Sequence, residues 1–266
     1  MSAVFVHVIG RVVTSEVNIF SDPTFLLSVL LGFAAQTVGS SLGMAYSVTC
    51  STVLLAVGIP PAMTSATVHT SEVANRLFSG LSHFRYGNVD TALFKRLALF
   101  GSLGACIGAF VVVYLPVQVM RPVIAGMLLI MGMRILLSAF GLPEIRPRET
   151  KVGALGFVGG LIDVIGGGGW GPVVTSTLIL RGNQSHIVVG SINFAKFFVA
   201  VVESLTLILL LKVPEWRIIA GLIAGGALAA PMAARLCRRI PPRTLTILVG
   251  LLICILSTRT LIKALL

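Results

Sequence analysis

Two apolar stretches carry residues that could do chemistry. Between Ala62 and Phe84 stand His69, Glu72, Asn75, Arg76, Ser79 and His83. His69, Glu72, Arg76 and Ser79 follow steps of three, four and three, which sets them on one face of a helix. The stretch 185–211 carries Ser191, Asn193, Lys196 and Glu203. Asn193, Lys196, Ala200 and Glu203 share a face there in the same way. In lipid, a charge at mid-depth costs at least about 2.5 kcal/mol on insertion scales, so such residues must face protein, water or each other. If the two faces meet across a pseudo-two-fold axis, Glu72 and Lys196 can pair. The pair is either a structural ion pair or part of substrate or ion handling, and the second is the default for ionisable groups inside a membrane. His69 has both readings open, and His83, near the helix end, is expected at the interface.

Glycine-rich points supply the second kind of chemistry. Gly39-Ser40-Ser41-Leu42-Gly43 and Gly166-Gly167-Gly168-Gly169 interrupt apolar runs, with Gln36 and Asp163 just ahead of them and Trp170 just after the second. Amide N–H groups at half-helix N-termini attract anions, and consecutive glycines let backbone come close to a small ligand. Ser40, Ser41, Ser47 and Thr49, with Thr175 and Ser176 in the second run, add hydroxyls. A small oxyanion fits. The substrate-binding candidates are Gln36, Gly39, Ser40, Ser41, Gly43, His69, Glu72, Arg76, Asp163, Gly166, Gly167, Gly168, Gly169, Trp170, Asn193 and Lys196. Candidates for ion coupling are Glu72, Asp163 and Glu203. Asp163 is either a ligand or the cap of a helix break. No metal is expected, because clustered Cys, His and carboxylates are missing from the sequence, and no cofactor is implied. Gly39 to Gly43 fits Gly-x-Ser-x-Gly without a preceding strand, and Gly166 to Gly171 fits Gly-x-Gly-x-x-Gly without a βαβ unit. Neither supports an enzyme, and no catalytic residue is assigned.

The elements that must position these groups follow from composition. Of 266 residues, 56% are hydrophobic and 11% charged, and the mean hydropathy is +1.01. Soluble domains carry about 25% charge, so this is an integral membrane chain. Its net charge of +11 lies mostly between apolar runs, where the positive-inside bias puts it, which argues against nucleic acid. Cys50, Cys106, Cys237 and Cys254 lie in apolar stretches with no ligand spacing and read as small hydrophobes. No cleavable leader is evident, and residues 4–20 could lie flat on the membrane.

The chain also repeats itself. At an offset of 124 residues, Gly32-Phe33 falls on Gly156-Phe157, Gly43 on Gly167, Tyr46 on Trp170, Gly58 on Gly182 and Gly101 on Gly225. The same offset lays Glu72 on Lys196 and His69 on Asn193. Each half then has five apolar segments: about 24–38, 44–57, 62–84, 91–115 and 117–140, then 152–165, 170–181, 185–211, 216–236 and 242–265. All should be helices, since lipid forces backbone groups to bond within a segment. The first two of each half are short, either a re-entrant hairpin or two tilted spans. Basic residues gather at 85–96, 134–151 and 235–243, and an odd number of crossings per half then makes the repeats inverted. Arg259 and Lys263 fall on the outer side, against the bias. The small residues Gly101, Gly104, Gly108 and Gly221, Gly225, Gly226, Ala230 read as helix-packing scaffold. The expected organisation is an all-α polytopic membrane protein: an N-terminal extension (1–23), a first membrane repeat (24–141), a basic cytoplasmic linker (142–151) and a second repeat (152–266). Inverted repeats with broken helices mark secondary transporters, with the site near mid-membrane.

Three stretches resemble the TauE/SafE sulfite exporter family, also called the toluene-sulfonate uptake permease family. They are Gly-Phe-x-x-x-x-x-Gly-x-x-x-Gly (32–43), His-Thr-Ser-Glu-Val (69–73) running to Gly-Leu-Ser-His-Phe-Arg-Tyr-Gly-Asn-Val-Asp (80–90), and Gly-Gly-Gly-Gly-Trp-Gly-Pro (166–172) with Ser-Ile-Asn-Phe-Ala-Lys-Phe-Phe (191–198). Pro-Pro-Arg-Thr-Leu (241–245) fits too, and the resemblance covers about residues 24–266. It implies transport of sulfite, sulfoacetate, sulfonates or other small organic anions across the bacterial inner membrane. One departure is Lys196, where such relatives usually show an acidic residue. The partners expected are a small anionic substrate, a coupling proton or sodium ion, membrane lipid and a second copy in a homodimer. An anion channel of the same architecture and a carrier of small carboxylates are the alternatives.

Overall fold

The computed structural model of the protein describes residues 22–42, 45–140, 151–180, 185–211, 215–236 and 242–266. The expectations for the N-terminal extension up to residue 21, for Gly43 and for the linker at 141–150 lie outside these residues. Among the described residues the regular elements are all helical. They are α1 (Pro23–Leu42), α2 (Tyr46–Ala56), α3 (Pro61–Arg85), α4 (Thr91–Tyr114) and α5 (Val117–Ser138), then α6 (Val152–Gly166), a π-helical turn (Trp170–Thr175) leading into α7 (Ser176–Leu180), α8 (Ser185–Leu211), α9 (Trp216–Leu236) and α10 (Pro242–Leu265). Among the described residues four stretches are long and apolar enough to cross a membrane: Thr91–Tyr114, Val117–Ser138, Ile187–Leu211 and Thr246–Leu265. The protein is an all-α, polytopic membrane protein. α3 is as long, at 25 residues, but its polar face lowers its hydropathy.

Short segments are short for a physical reason. The 11 residues of α2 reach about 16 Å at 1.5 Å per residue, roughly half of a hydrocarbon core of about 30 Å. α6, with 15 residues, also stops short, at the glycine run. α1 differs from expectation. It was expected to end near residue 38 with a break over 39–43, yet the helix runs through Gly39, Ser40 and Ser41 to Leu42. Glycine and serine weaken a helix by about 1 kcal/mol or less apiece, and inside an apolar layer the backbone's need for internal hydrogen bonds outweighs that.

Packing exchanges partners between the halves. α1 lies along α9, α4 along α6, α3 along α8 and α5 along α10. Glycines make two of these contacts possible. A Cβ on Gly104 would overlap the Phe157 carbonyl, and one on Gly225 would overlap the Val29 carbonyl, so the helices meet backbone to backbone. Asp22 caps α1, accepting from Thr24 N at 2.8 Å. It also accepts from Arg217 Nη1 at 2.7 Å, tying α1 to α9. The Thr24 amide and the Arg217 charge hold the Asp22 carboxyl below its ordinary value. Asp90 caps α4 through Ala92 N and Leu93 N, and its own amide donates to Ser191 Oγ on α8 at 2.8 Å.

Candidate functional site

The polar faces of α3 and α8 meet, and the end of α6 closes on them. Glu72 and Lys196 are in contact, Oε2 to Nζ at 3.2 Å, with Lys196 1% exposed and Glu72 fully buried. The ammonium also reaches Glu203 Oε2 at 2.6 Å and pairs with the Asp163 carboxylate. Three carboxylates from three helices therefore share one cation. His69, fully buried, stands beside them. Its Nδ1 is 3.2 Å from Glu72 Oε2 and 3.1 Å from Glu203 Oε2, and its Nε2 is 3.2 Å from the Asp163 carbonyl. Nδ1 thus faces two carboxylate oxygens and also the Lys196 ammonium, 3.5 Å away, while Nε2 faces a carbonyl acceptor.

Arg76 extends the network one turn along α3. Its Nη2 donates to Glu72 Oε1 at 3.1 Å and its Nη1 to Asn193 Oδ1 at 2.6 Å. Its side chain is 18% exposed, against 1% for Lys196. Neutral contacts reinforce the joint: Thr70 Oγ1 and Ser204 Oγ lie 2.8 Å apart across α3 and α8, and Ser65 Oγ donates to the Val164 carbonyl on α6.

Asp163 does two jobs. One carboxylate oxygen meets Lys196; the other accepts from Gly169 N at 2.7 Å and Trp170 N at 3.3 Å. Gly167 turns the chain at φ +72°, and its amide bonds the Asp163 carbonyl. The carboxylate thus bonds the amides at the helix break. The N–H groups of Gly169 and Trp170, expected to be free for an anion, are taken by this carboxylate. The glycine run also touches the first half: a Cβ on Gly167 would meet Ser51, and one on Gly168 would meet Val48. Gly166 ends α6 and Trp170 is buried.

One expectation is corrected. Clustered metal-type ligands were judged missing, yet His69, Glu72, Asp163 and Glu203 each present a ligand atom within 4.8 Å of the others. His69 and Glu72 are three positions apart on one helix face, but Asp163 is more than 90 positions beyond them and Glu203 another 40 on, so only the fold joins the four and no spacing motif could show it. Lys196 Nζ is in contact with all three of the carboxylates.

The sequence candidates divide cleanly. His69, Glu72, Arg76, Asp163, Asn193, Lys196 and Glu203 come together. Gln36 is half-buried on α1, and Gly39 packs against Tyr46. Ser40 and Ser41 are helical, which also removes the strand-to-helix turn that the Gly-x-Ser-x-Gly pattern needs. Thr70, Ser204, Ser65 and the Tyr46–Ser71 pair, 2.9 Å between hydroxyl oxygens, were not singled out. Their signal was hydroxyls buried in apolar helices, which must face protein.

The chain's kinship agrees with this architecture. A family model for the sulfite exporter TauE/SafE matches residues 28–260. The chain belongs to that family. It is 37% identical over 248 residues to a Bacillus subtilis (strain 168) protein named probable membrane transporter protein YtnM, covering 90% of this chain and 83% of that one. No solved structure matches it. The protein is a TauE/SafE membrane transporter, multi-pass in the inner membrane.

Proposed function

We propose that this TauE/SafE protein is a secondary transporter of small sulfur-containing anions, such as sulfite, sulfoacetate or another sulfonate, working by alternating access with ion coupling. The observation that carries this reading is the buried network in which α3, α6 and α8, from both halves, close on one point. Buried ion pairs between moving bodies form and break as those bodies rock, and ionisable groups inside membranes mark substrate and ion pathways. The exchange of packing partners between the halves supports two inverted repeats as the moving bodies. With His69 protonated, its charge and those of Arg76 and Lys196 balance Glu72, Asp163 and Glu203. That balance favours a proton as the coupling ion. Arg76, the cation of the network that is not buried, is the group to which the anion is drawn.

The test is counterflow in proteoliposomes loaded with sulfite, thiosulfate, sulfoacetate, isethionate, taurine or small carboxylates. A carrier accelerates uptake of labelled substrate against a preloaded one; an anion channel of the same architecture shows no counterflow. Glu72→Gln and Lys196→Met should each impair uptake strongly, because each strands a buried charge. The double variant should regain stability and stay inactive. Wild-type uptake by the double variant, with unchanged pH dependence, would overturn the coupling role. Cysteines placed at 87, 148 and 214 in a background without native cysteines test the repeat: 87 and 148 should label from the cytoplasm and 214 from outside.

A further inference from the structure

The centre of the network has the makings of a cation site with an occupant already attached to the chain. His69, Glu72, Asp163 and Glu203 offer four ligand atoms within 4.8 Å of one another, one imidazole nitrogen and three carboxylate oxygens. Such a mixed nitrogen and oxygen set suits a divalent metal ion. The position among them is held by Lys196 Nζ, which is 2.6 Å from Glu203, 3.2 Å from Glu72 and paired with Asp163. A second observation points the same way. Glu203 Oε1 is buried and makes no hydrogen bond among the described residues, so this carboxylate has coordinating capacity that the lysine does not use.

We infer that the Lys196 ammonium is a tethered substitute for a metal cation, and that shortening this side chain uncovers a divalent-cation site formed by His69, Glu72, Asp163 and Glu203. The charges favour exchange. Ligation to a metal requires His69 to give up the proton it carries in the balanced network, and the three carboxylates, Arg76 and Lys196 then sum to minus one. Without Lys196 the sum is minus two, and a bound divalent ion brings it to zero. A lysine contributes a single cationic point on a flexible stem, whereas a metal ion can be met by both oxygens of a carboxylate at once. The unshared Glu203 oxygen becomes useful only in the second case.

The test reads cation binding and not transport, so its outcome is independent of which anion is carried. Purified wild-type protein and Lys196→Ala are titrated with Mn2+ and followed by electron paramagnetic resonance of the free ion and by thermal unfolding. Lys196→Ala should bind one Mn2+ at least tenfold more tightly than wild type and unfold at a higher temperature once it is bound. Glu203→Gln in the Lys196→Ala background should weaken that binding at least tenfold. This double variant removes one charge of each sign and gives a folded reference should the single variant not fold. In that event it should bind Mn2+ through His69, Glu72 and Asp163 more tightly than wild type does, though less tightly than the complete four-ligand set would. Equal binding to wild type and variants would place the ion elsewhere and overturn the proposal. So would the absence of Mn2+ binding to the folded variants.

Discussion

The two glycine-containing stretches that fall on each other at the 124-residue offset of the sequence are held by different forces. The second is held by charge. Asp163 caps it through Gly169 N and Trp170 N and is anchored to Lys196 on α8. The first is neutral. Gly39 stands where the offset would put Asp163's counterpart, α1 runs on to Leu42, and α2 begins after Ala45 at φ +93°. Its link to α3 is the hydroxyl pair of Tyr46 and Ser71. A neutral hydrogen bond contributes about 1 kcal/mol net and is insensitive to protonation. A carboxylate shared between a helix cap and a buried ammonium responds to any change in the network's charge. The second stretch is therefore tied to the charge of the buried network and the first is not.

The largest effect should come from removing the charged anchor. Asp163→Ala takes away the cap and one of the lysine's three counter-charges, at a cost of about 3–5 kcal/mol. Unfolding in detergent should begin at a clearly lower temperature, and uptake should be lost. The equivalent change in the first half, Gly39→Ala, should be mild. Its Cβ would lie 3.1 Å from Tyr46 Cβ, a tight contact, but alanine is better than glycine inside a helix by about 1 kcal/mol. A net change of about 1 kcal/mol or less is expected. Comparable damage from the two substitutions would mean that the breaks are alike after all.

The turn at Gly167 comes next. At φ +72° a side chain costs about 1–2 kcal/mol. A Cβ there would also press on Ser51, whose own Cβ would be 2.8 Å away, and on the Ser47 carbonyl at 3.2 Å. Gly167→Ala should cost about 2–3 kcal/mol in all. Gly167→Leu should abolish uptake while the protein still inserts. Ser51→Gly relieves the overlap and leaves the strain, so it should rescue Gly167→Ala only in part. Full rescue would show that contact with α2, and not backbone strain, fixes the turn.

These contrasts also explain what could be read from sequence. The helix-forming segments were legible nearly to the residue, because an apolar run in lipid has one way to satisfy its backbone. The Glu72–Lys196 contact was legible because steps of three and four fix a face and an unpaired charge there is expensive. The convergence of Asp163 and Glu203 on the same lysine was not. Asp163 lies 33 positions before Lys196, beyond a break whose path no local pattern specifies. The end of α1 was misjudged because Gly-Ser-Ser-Leu-Gly reads as a turn in water, where exposed backbone finds partners. The occupied amides at the second break were missed for a related reason: half-helix termini are open to anions only if the chain brings no carboxylate of its own.

The smallest effect tests the neutral break alone. Ala45 is the described non-glycine residue with positive φ, and a left-handed alanine is strained by about 1–2 kcal/mol. Ala45→Gly removes that strain. Against it stand the wider freedom of glycine in the unfolded chain, about 0.4–1 kcal/mol, and the lost burial of one methyl, about 0.8 kcal/mol. The methyl matters because Ala45 is only 4% exposed and packs in the cluster with Val48 and Met131. The terms nearly cancel, so thermal unfolding should move by no more than a few degrees in either direction, and uptake should persist. Ala45→Val puts a β-branched residue at the same φ and should be far worse. If Ala45→Gly instead abolished uptake with little loss of stability, the strain at the first break would itself be part of the transport cycle. The neutral break would then be a working part equal to the charged one.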